Sequence, residues 1–170
     1  MATHILRPNA DSKAAWTEDP VGNAFDVLDD NVTYLDTPTT GSDRITTTGS
    51  GQQCVMGFTT FTIGNQTVST VTLWVYGKAV DSSNYYDFTI TTPSGSTITT
   101  STPYTSSSFG WHSVTYRGSL TQADLDGIGT TINSTGATGT REIDAVYMEV
   151  VTKPTTLRRL GGRRRHFQHG

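Results

Sequence analysis

The side chains that could perform chemistry are few in this sequence. Its histidines are His4, His112, His166 and His169. The last two are three residues apart with no cysteine or acid beside them, so we expect no metal site there. His112 follows Trp111 in an alternating segment, where an exposed or hydrogen-bonded strand residue is expected rather than a catalytic base. No nucleophile elbow, P-loop or dinucleotide fingerprint occurs. We therefore predict a protein that is not an enzyme and has no cofactor.

Four aspartates form the carboxylate cluster of the chain. They are Asp26, Asp29, Asp30 and Asp36. Carboxylate oxygens close together can bind Ca²⁺, which makes Asp26, Asp29 and Asp30 the candidate ligands. The spacing matches no EF-hand loop, and aspartate is common in turns, so the prediction is that no metal is bound. A glycosidase pair of Asp26 and Asp29 would need a cleft and an opposed geometry that a sequence does not reveal.

Aromatic rings are a second group that could bind a ligand, because flat rings stack on the faces of pyranose sugars. Trp74, Tyr76 and Trp111 are the candidate glycan-binding residues. Aromatic side chains of a β-protein more often pack in the core or against a cross-strand partner. If a glycan binds here, these three rings should form a row that faces solvent.

Charge is divided unevenly along the chain. Residues 1–152 carry six basic and fifteen acidic residues, a balance of −9, whereas residues 153–170 carry six basic residues and no acid, a balance of +6. Such asymmetry is typical of an interaction tail, with apolar anchors and arginines that pair with carboxylates. The predicted partner-binding residues are Leu157, Arg158, Arg159, Leu160, Arg163, Arg164, Arg165 and Phe167. A solvated terminus is the alternative, and nucleic acid is an unlikely partner because the body is acidic.

The composition indicates an all-β protein. The chain has 170 residues, of which 33 are Thr, 17 are Gly and one is Cys, so no internal disulfide is possible. β-Branched residues favour strands, and the length fits one domain. We expect a jelly-roll-like antiparallel β-sandwich of about eight strands with one or two short helical turns. Residues 1–152 would form the sandwich, and residues 153–170 would form an extended basic tail.

Alternation assigns most of the strands. Val71, Leu73 and Val75 share one apolar face within residues 68–76 and should point inward. The last strand, 141–152, is expected to alternate without interruption, and residues 36–52 are expected to form a loop or an edge segment. Leu120–Asp126 carries a helix signal, with Thr121 as N-cap and Asp124 three residues later. A helical turn is also expected within residues 23–30.

Two stretches resemble a β-sandwich module that recurs in bacteriophage virion structural proteins. One comprises Ile5–Asp11, Trp16–Thr17 and the Asp26 to Leu35 stretch; the other comprises Trp111–Tyr116, Leu120–Leu125 and Arg141–Val151. The resemblance spans residues 5–152 and implies that the last strand closes a sheet beside the first. It carries no catalytic signature, and the same sandwich serves in head decoration, tail appendages and sugar-binding units.

These observations lead to a main hypothesis and two alternatives. The main one is a non-enzymatic capsid decoration or stabilising protein, located in the virion after assembly in the host cytoplasm and docked on other virion proteins through its basic tail. A minor tail or appendage protein is the first alternative. A carbohydrate-binding module for host-surface glycans is the second. A homo-oligomer is expected. No secretion signal and no membrane span is expected from the apolar runs.

Overall fold

The described part of the molecule contains eleven strands, one short helix with described bounds, and Leu28, which is also helical. The computed structural model describes residues 1–19, 28, 38, 44–80 and 83–155. In chain order the elements are β1 (Ala2–Leu6), β2 (Pro8–Ala14), β3 (Thr17–Asp19), β4 (Arg44–Thr47), β5 (Gln53–Phe58), β6 (Gln66–Ala79), β7 (Asn84–Thr91), β8 (Thr97–Thr100), β9 (Gly110–Tyr116), α1 (Gln122–Leu125), β10 (Gly129–Gly136) and β11 (Arg141–Pro154). No helix among these residues is long and apolar enough to cross a membrane.

The strands form two antiparallel sheets. Sheet A has the order β3-β4-β11-β6-β9, with β1 paired to the later part of β11, and sheet B has the order β2-β5-β10-β7-β8. The inner faces of both sheets contribute to one core, for example Leu73 and Val146 from sheet A and Phe88 and Ile132 from sheet B. The predicted jelly-roll-like antiparallel β-sandwich is therefore confirmed. The pairing of β1 with β11 also agrees with the implied closure of a sheet by the last strand.

Local sequence determines several of these elements as expected. Val71, Leu73 and Val75 are fully buried. The helix forms where it was predicted, because Thr121 and Asp124 make a reciprocal capping box that satisfies free backbone N–H groups of its first turn. Capping by Asp124 also lowers the pKa of that carboxyl group, since the backbone and side chain of Thr121 donate to it.

Two expectations were wrong. Residues 44–47 form β4, between β3 and β11, rather than a loop or an edge segment. The alternation of β11 is broken by a bulge between Ile143 and Ala145, which brings Val146, Met148 and Val150 into the core together with Ile143.

The largest fully buried side chain is that of Arg141, at the start of β11. Its guanidinium donates five hydrogen bonds to backbone carbonyls, and burial lowers its pKa. The acceptors are the oxygens of Tyr85 (2.8 Å), Gly49 (3.3 Å), Gly139 (2.8 Å), Ala137 (2.8 Å) and Thr135. Every donor of the fork has a partner, so Arg141 joins β11 to the β4–β5 loop, to the β10–β11 turn and to β7.

We predict that Arg141→Met lowers the free energy of unfolding by about 3–5 kcal/mol, because buried carbonyls lose their donors. Urea denaturation followed by tryptophan fluorescence measures this. Arg117→Met is the matched control, since Arg117 is exposed and its replacement should cost less than about 0.5 kcal/mol. Equal midpoints for the two variants would show that the buried guanidinium contributes little.

Candidate functional site

The three candidate rings lie together on the outer face of sheet A. Tyr76 of β6 is opposite Trp111 of β9, with ring centroids 5.1 Å apart, and Trp74 is two residues earlier on the same face. Two further rings complete the cluster. Phe109 stacks on Tyr76 at 5.5 Å, and Tyr147 of β11 contacts both tryptophans, at 6.2 Å from Trp74 and 5.4 Å from Trp111.

These rings pack mainly on one another. Tyr76 is 7% exposed and Tyr147 is 1% exposed, whereas Trp74 and Trp111 are half-buried. The expected row of three solvent-facing rings is therefore corrected, because Tyr76 lies beneath its aromatic neighbours. A cation also packs against this cluster, since the Arg7 guanidinium lies 5.3 Å from the centroid of the Tyr147 ring. Glycan binding at the two tryptophans stays a prediction.

A charged group borders the aromatic cluster. Glu142 of β11 accepts from Arg44 at 2.5 Å and lies 3.2 Å from the Lys78 ammonium. Lys78 also lies 4.5 Å from the centroid of the Phe109 ring. The carboxylate of Glu142 thus joins three neighbouring strands of sheet A, and the three charged groups together carry a net charge of +1.

The outer face of sheet B carries a different arrangement. Asn133 of β10 pairs in register with Gln53 of β5 on one side and with Asp87 of β7 on the other. The Gln53 amide donates to Asn133 Oδ1 at 3.0 Å, and the Asn133 amide donates to Asp87 Oδ1 at 2.8 Å. The hydroxyl of Thr135 donates to Asp87 Oδ2 at 3.3 Å. We call these four residues the polar row.

The polar row lies within a face of small and polar side chains. Because side chains alternate along a strand, the residues that share its face are Thr131 of β10, Val55 and Gly57 of β5, and Tyr85, Thr89 and Thr91 of β7. Tyr85 is half-exposed and pairs in register with Thr135, so one aromatic ring borders the row. The side chains of the row are half-buried, and the hydrogen bonds between them keep the two amides in place.

An open cleft of about 350 Å³ lies at the other end of the same face. Its lining comes from β2, β5, the end of β7 and the segment that enters β10. The lining residues are Ala10, Asp11, Val55, Met56, Gly57, Thr91, Thr92, Pro93, Gly95, Gly127 and Gly129. The cleft and the polar row together offer carboxylate, amide and hydroxyl groups along β10, and this is the candidate functional site.

Two titratable groups lie behind these faces. Burial raises the pKa of the Cys54 thiol to about 12, with smaller contributions from Asp11 and Glu18, so Cys54 is a protonated core residue. His112 contacts the ring of Tyr104, and its Nε2 is a buried atom without a hydrogen-bond partner. Burial lowers the pKa of His112 to about 4, with a smaller opposing contribution from its hydrogen bond with Gly110. His112 is therefore a half-buried strand residue that is hydrogen-bonded to Gly110, which agrees with the hydrogen-bonded form of the expectation.

Several predicted residues lie outside the described part of the chain. These are the calcium candidates Asp26, Asp29 and Asp30, and the tail residues Leu157, Arg158, Arg159, Leu160, Arg163, Arg164, Arg165 and Phe167. Among the residues described, no group of three or more histidine, cysteine, aspartate or glutamate side chains has the geometry of a metal site. The prediction that these aspartates bind no metal and the prediction of tail docking both stay predictions.

Sequence reasoning missed the polar row. Gln53, Asp87 and Asn133 are separated by more than thirty residues from one another, and only the register of β5, β10 and β7 brings them together. The available signal was alternation: Thr131, Asn133 and Thr135 repeat polar residues at every second position of β10. That pattern indicates a solvent-facing strand face but does not identify its partners.

The described residues form a β-sandwich that carries a polar row and a cleft on one outer face, and comparison with known proteins finds solved structures similar to it. No protein-family profile matches the chain, and no curated protein sequence matches it. Similar solved structures include the C-terminal CBM6 module of the laminarinase LamC from Zobellia galactanivorans (6% identity, TM-score 0.49, 88% of this chain and 99% of that one). The CBM22-1 xylan-binding domain of Paenibacillus barcinonensis Xyn10C has 16% identity and a TM-score of 0.47, over 88% and 96% of the two chains.

A phage protein also appears among the similar structures. The enzymatically active domain of tailspike protein 4 from bacteriophage CBA120 has 12% identity and a TM-score of 0.47, over 88% of this chain and 19% of that one. With identities of 6–16% and TM-scores below 0.5, these likenesses carry no functional argument, so the function has to be argued from the site.

We predict that the stability of the protein falls as the pH is lowered from about 6.5 to 4, partly through His112. In this range the unfolded chain binds a proton at His112 that the folded chain does not, so unfolding is favoured; above pH 6.5 the effect is absent. The expected loss in the free energy of unfolding is about 2 kcal/mol, which is less than a fully buried His112 would give.

Urea unfolding at pH 7.5 and pH 4.5 tests this. His112→Phe should reduce the difference between the two pH values, whereas His4→Gln, at a histidine elsewhere in the chain, should retain it. An unchanged difference in His112→Phe would contradict the assignment.

Proposed function

We propose that this protein is a non-catalytic carbohydrate-binding module that binds a neutral glycan on the outer face of sheet B. The observation that carries the proposal is the polar row, in which Gln53, Asn133 and Asp87 are hydrogen-bonded across three strands. The groups are held in place before any ligand arrives. Little side-chain entropy is then lost on binding, which favours affinity.

The chemistry of the row suits sugar hydroxyls, each of which donates one hydrogen bond and accepts others. Asp87 is an acceptor, and the amides of Asn133 and Gln53 offer both donors and acceptors. The half-exposed ring of Tyr85 borders the row, where it can pack against the apolar face of a pyranose. Hydroxyl, amide and aromatic groups on one side of a sheet form a surface for a polyol.

Charge favours a neutral ligand. Among the described side chains of the row and the cleft, the formal charges are the carboxylates of Asp11 and Asp87. Both accept hydrogen bonds from hydroxyls and repel carboxylate or sulfate groups. Uronates and sulfated sugars are therefore expected to bind less well than uncharged sugars.

The separation of these two carboxylates supports binding without bond cleavage on this face. Asp11 and Asp87 lie on β2 and β7, three strand spacings apart in sheet B, which corresponds to about 14 Å. Glycosidase carboxylates lie roughly 5–9.5 Å apart. The two acids of this face are therefore too distant to act as an acid–nucleophile or acid–base pair on one glycosidic bond.

The other hypotheses rest on different residues. Trp74 and Trp111 remain the alternative glycan contacts, but their cluster is directed largely toward its own rings. Capsid decoration and minor tail attachment depend on the basic tail, whose residues from 156 onward lie outside the described chain. Homo-oligomer formation stays a prediction. A glycan-binding module is compatible with a virion location, which stays a prediction from the sequence.

We predict that Asn133→Ala and Asp87→Ala each weaken glycan binding at least tenfold, because each removes a central member of the row. Affinity electrophoresis in gels that contain β-glucan, xylan or mannan measures the retardation of the native protein. Loss of one pair of directed hydrogen bonds, about 1.4 kcal/mol, is sufficient for that factor.

Thr115→Ala on sheet A is the matched control and should bind like the wild type. Trp74→Ala tests the alternative surface and should also retain binding. Loss of binding in Trp74→Ala with full binding in Asn133→Ala would overturn the proposed site.

A further inference from the structure

The cleft has a floor of two adjacent glycines. Gly57 of β5 and Gly129 of β10 are register partners on the outer face of sheet B. A Cβ atom at Gly129 would lie 2.8 Å from the Met56 carbonyl oxygen, so this position excludes any side chain. At Gly57 the nearest atom to such a Cβ would be Asn9 Oδ1, at 3.7 Å. The space above Gly57 is therefore open, and the cleft exists there because Gly57 has no side chain to fill it.

One end of the cleft is closed. Pro93 packs against Gly127, where an added Cβ would meet the proline ring at 2.9 Å. The turn that carries Pro93 is fixed by two backbone hydrogen bonds, from Gly95 to Thr92 and from Thr92 to Ser96, both 2.9 Å. Beyond Gly129 this turn therefore blocks the path along β10. In the opposite direction the face continues over Thr131 to Asn133.

We propose that the cleft receives the terminal sugar of a neutral oligosaccharide, so that the module recognises chain ends. This inference rests on the proposed function and extends it to a substrate class. A volume of about 350 Å³ is near the lower limit for small-molecule sites, which suits a terminal unit rather than a continuous polymer. Asp11, Thr91 and Thr92 are among its lining residues, and their carboxylate and hydroxyl groups are the proposed partners of terminal hydroxyls.

The length of the face sets the size of the ligand. Gly129 and Asn133 are four residues apart on β10, or about 13 Å. An oligosaccharide of about three sugar rings therefore spans the distance from the cleft to the polar row. An oligosaccharide with its end in the cleft therefore reaches Asn133 and Asp87. A polymer without an accessible end would contact the polar row alone.

Competition tests this with the wild-type protein. A neutral polysaccharide that retards the protein in the gel is partly hydrolysed with acid, so that the same mass contains about ten times as many chain ends. Used as a soluble competitor, the hydrolysate is expected to inhibit about ten times better per unit mass than the intact polymer. Equal inhibition per unit mass would overturn recognition of chain ends while leaving glycan binding intact.

A variant that fills the cleft provides an independent test. Gly57→Leu should weaken binding of the hydrolysate at least tenfold, and Ser113→Leu, which adds the same side chain to an exposed position of β9, should not. Wild-type binding by a folded Gly57→Leu variant would overturn the inference. If Gly57→Leu does not fold, the competition result decides.

No retardation of the wild type by β-glucan, xylan, galactan or mannan would contradict the proposed function and, with it, this inference.

Discussion

The guanidinium of Arg141 is a buried cation whose described partners are backbone carbonyls. Five of them surround it, and they come from the β4–β5 loop, the start of β7, the end of β10 and the β10–β11 turn. Burial of a charge is costly unless its hydrogen bonds are satisfied, so the five carbonyls and the guanidinium stabilise each other only as a complete set. Because the set has to be complete, β11 of sheet A is held in one arrangement relative to the end of sheet B that contains Tyr85 and Thr135.

The same interaction reaches the candidate site. Two of the carbonyls belong to Tyr85 and Thr135, the residues that end the outer face of sheet B next to Asp87 and Asn133. Fixing their backbone fixes the register in which the side chains of the polar row meet. Sheet A uses its outer face differently, because Tyr76 and Tyr147 are buried there among other rings. One sheet thus contributes aromatic packing to stability, and the other presents preformed hydrogen-bonding groups.

Much of the fold was predictable because its signals are local. The inward face of Val71, Leu73 and Val75 follows from alternation, and the short helix follows from Thr121 and Asp124. The bulge in β11 was not predictable, since pairing with β6 shifts there without a distinctive residue. Arg141 appeared only as one of six basic residues in the acidic body; its burial depends on loops that converge from distant parts of the chain. The site was missed for the same reason, because Gln53, Asp87 and Asn133 become neighbours only through register.

An amide NMR titration with a neutral oligosaccharide of about three residues tests the central claim most directly. The side-chain amides of Gln53 and Asn133, the backbone amides of Gly57 and Gly129, and the indole groups of Trp74 and Trp111 report on the two outer faces in one spectrum. If the preformed groove of sheet B binds the glycan, the two side-chain amides and the two glycines shift with a common dissociation constant while both indoles stay unchanged. Shifts confined to the indoles would contradict the account and transfer binding to sheet A.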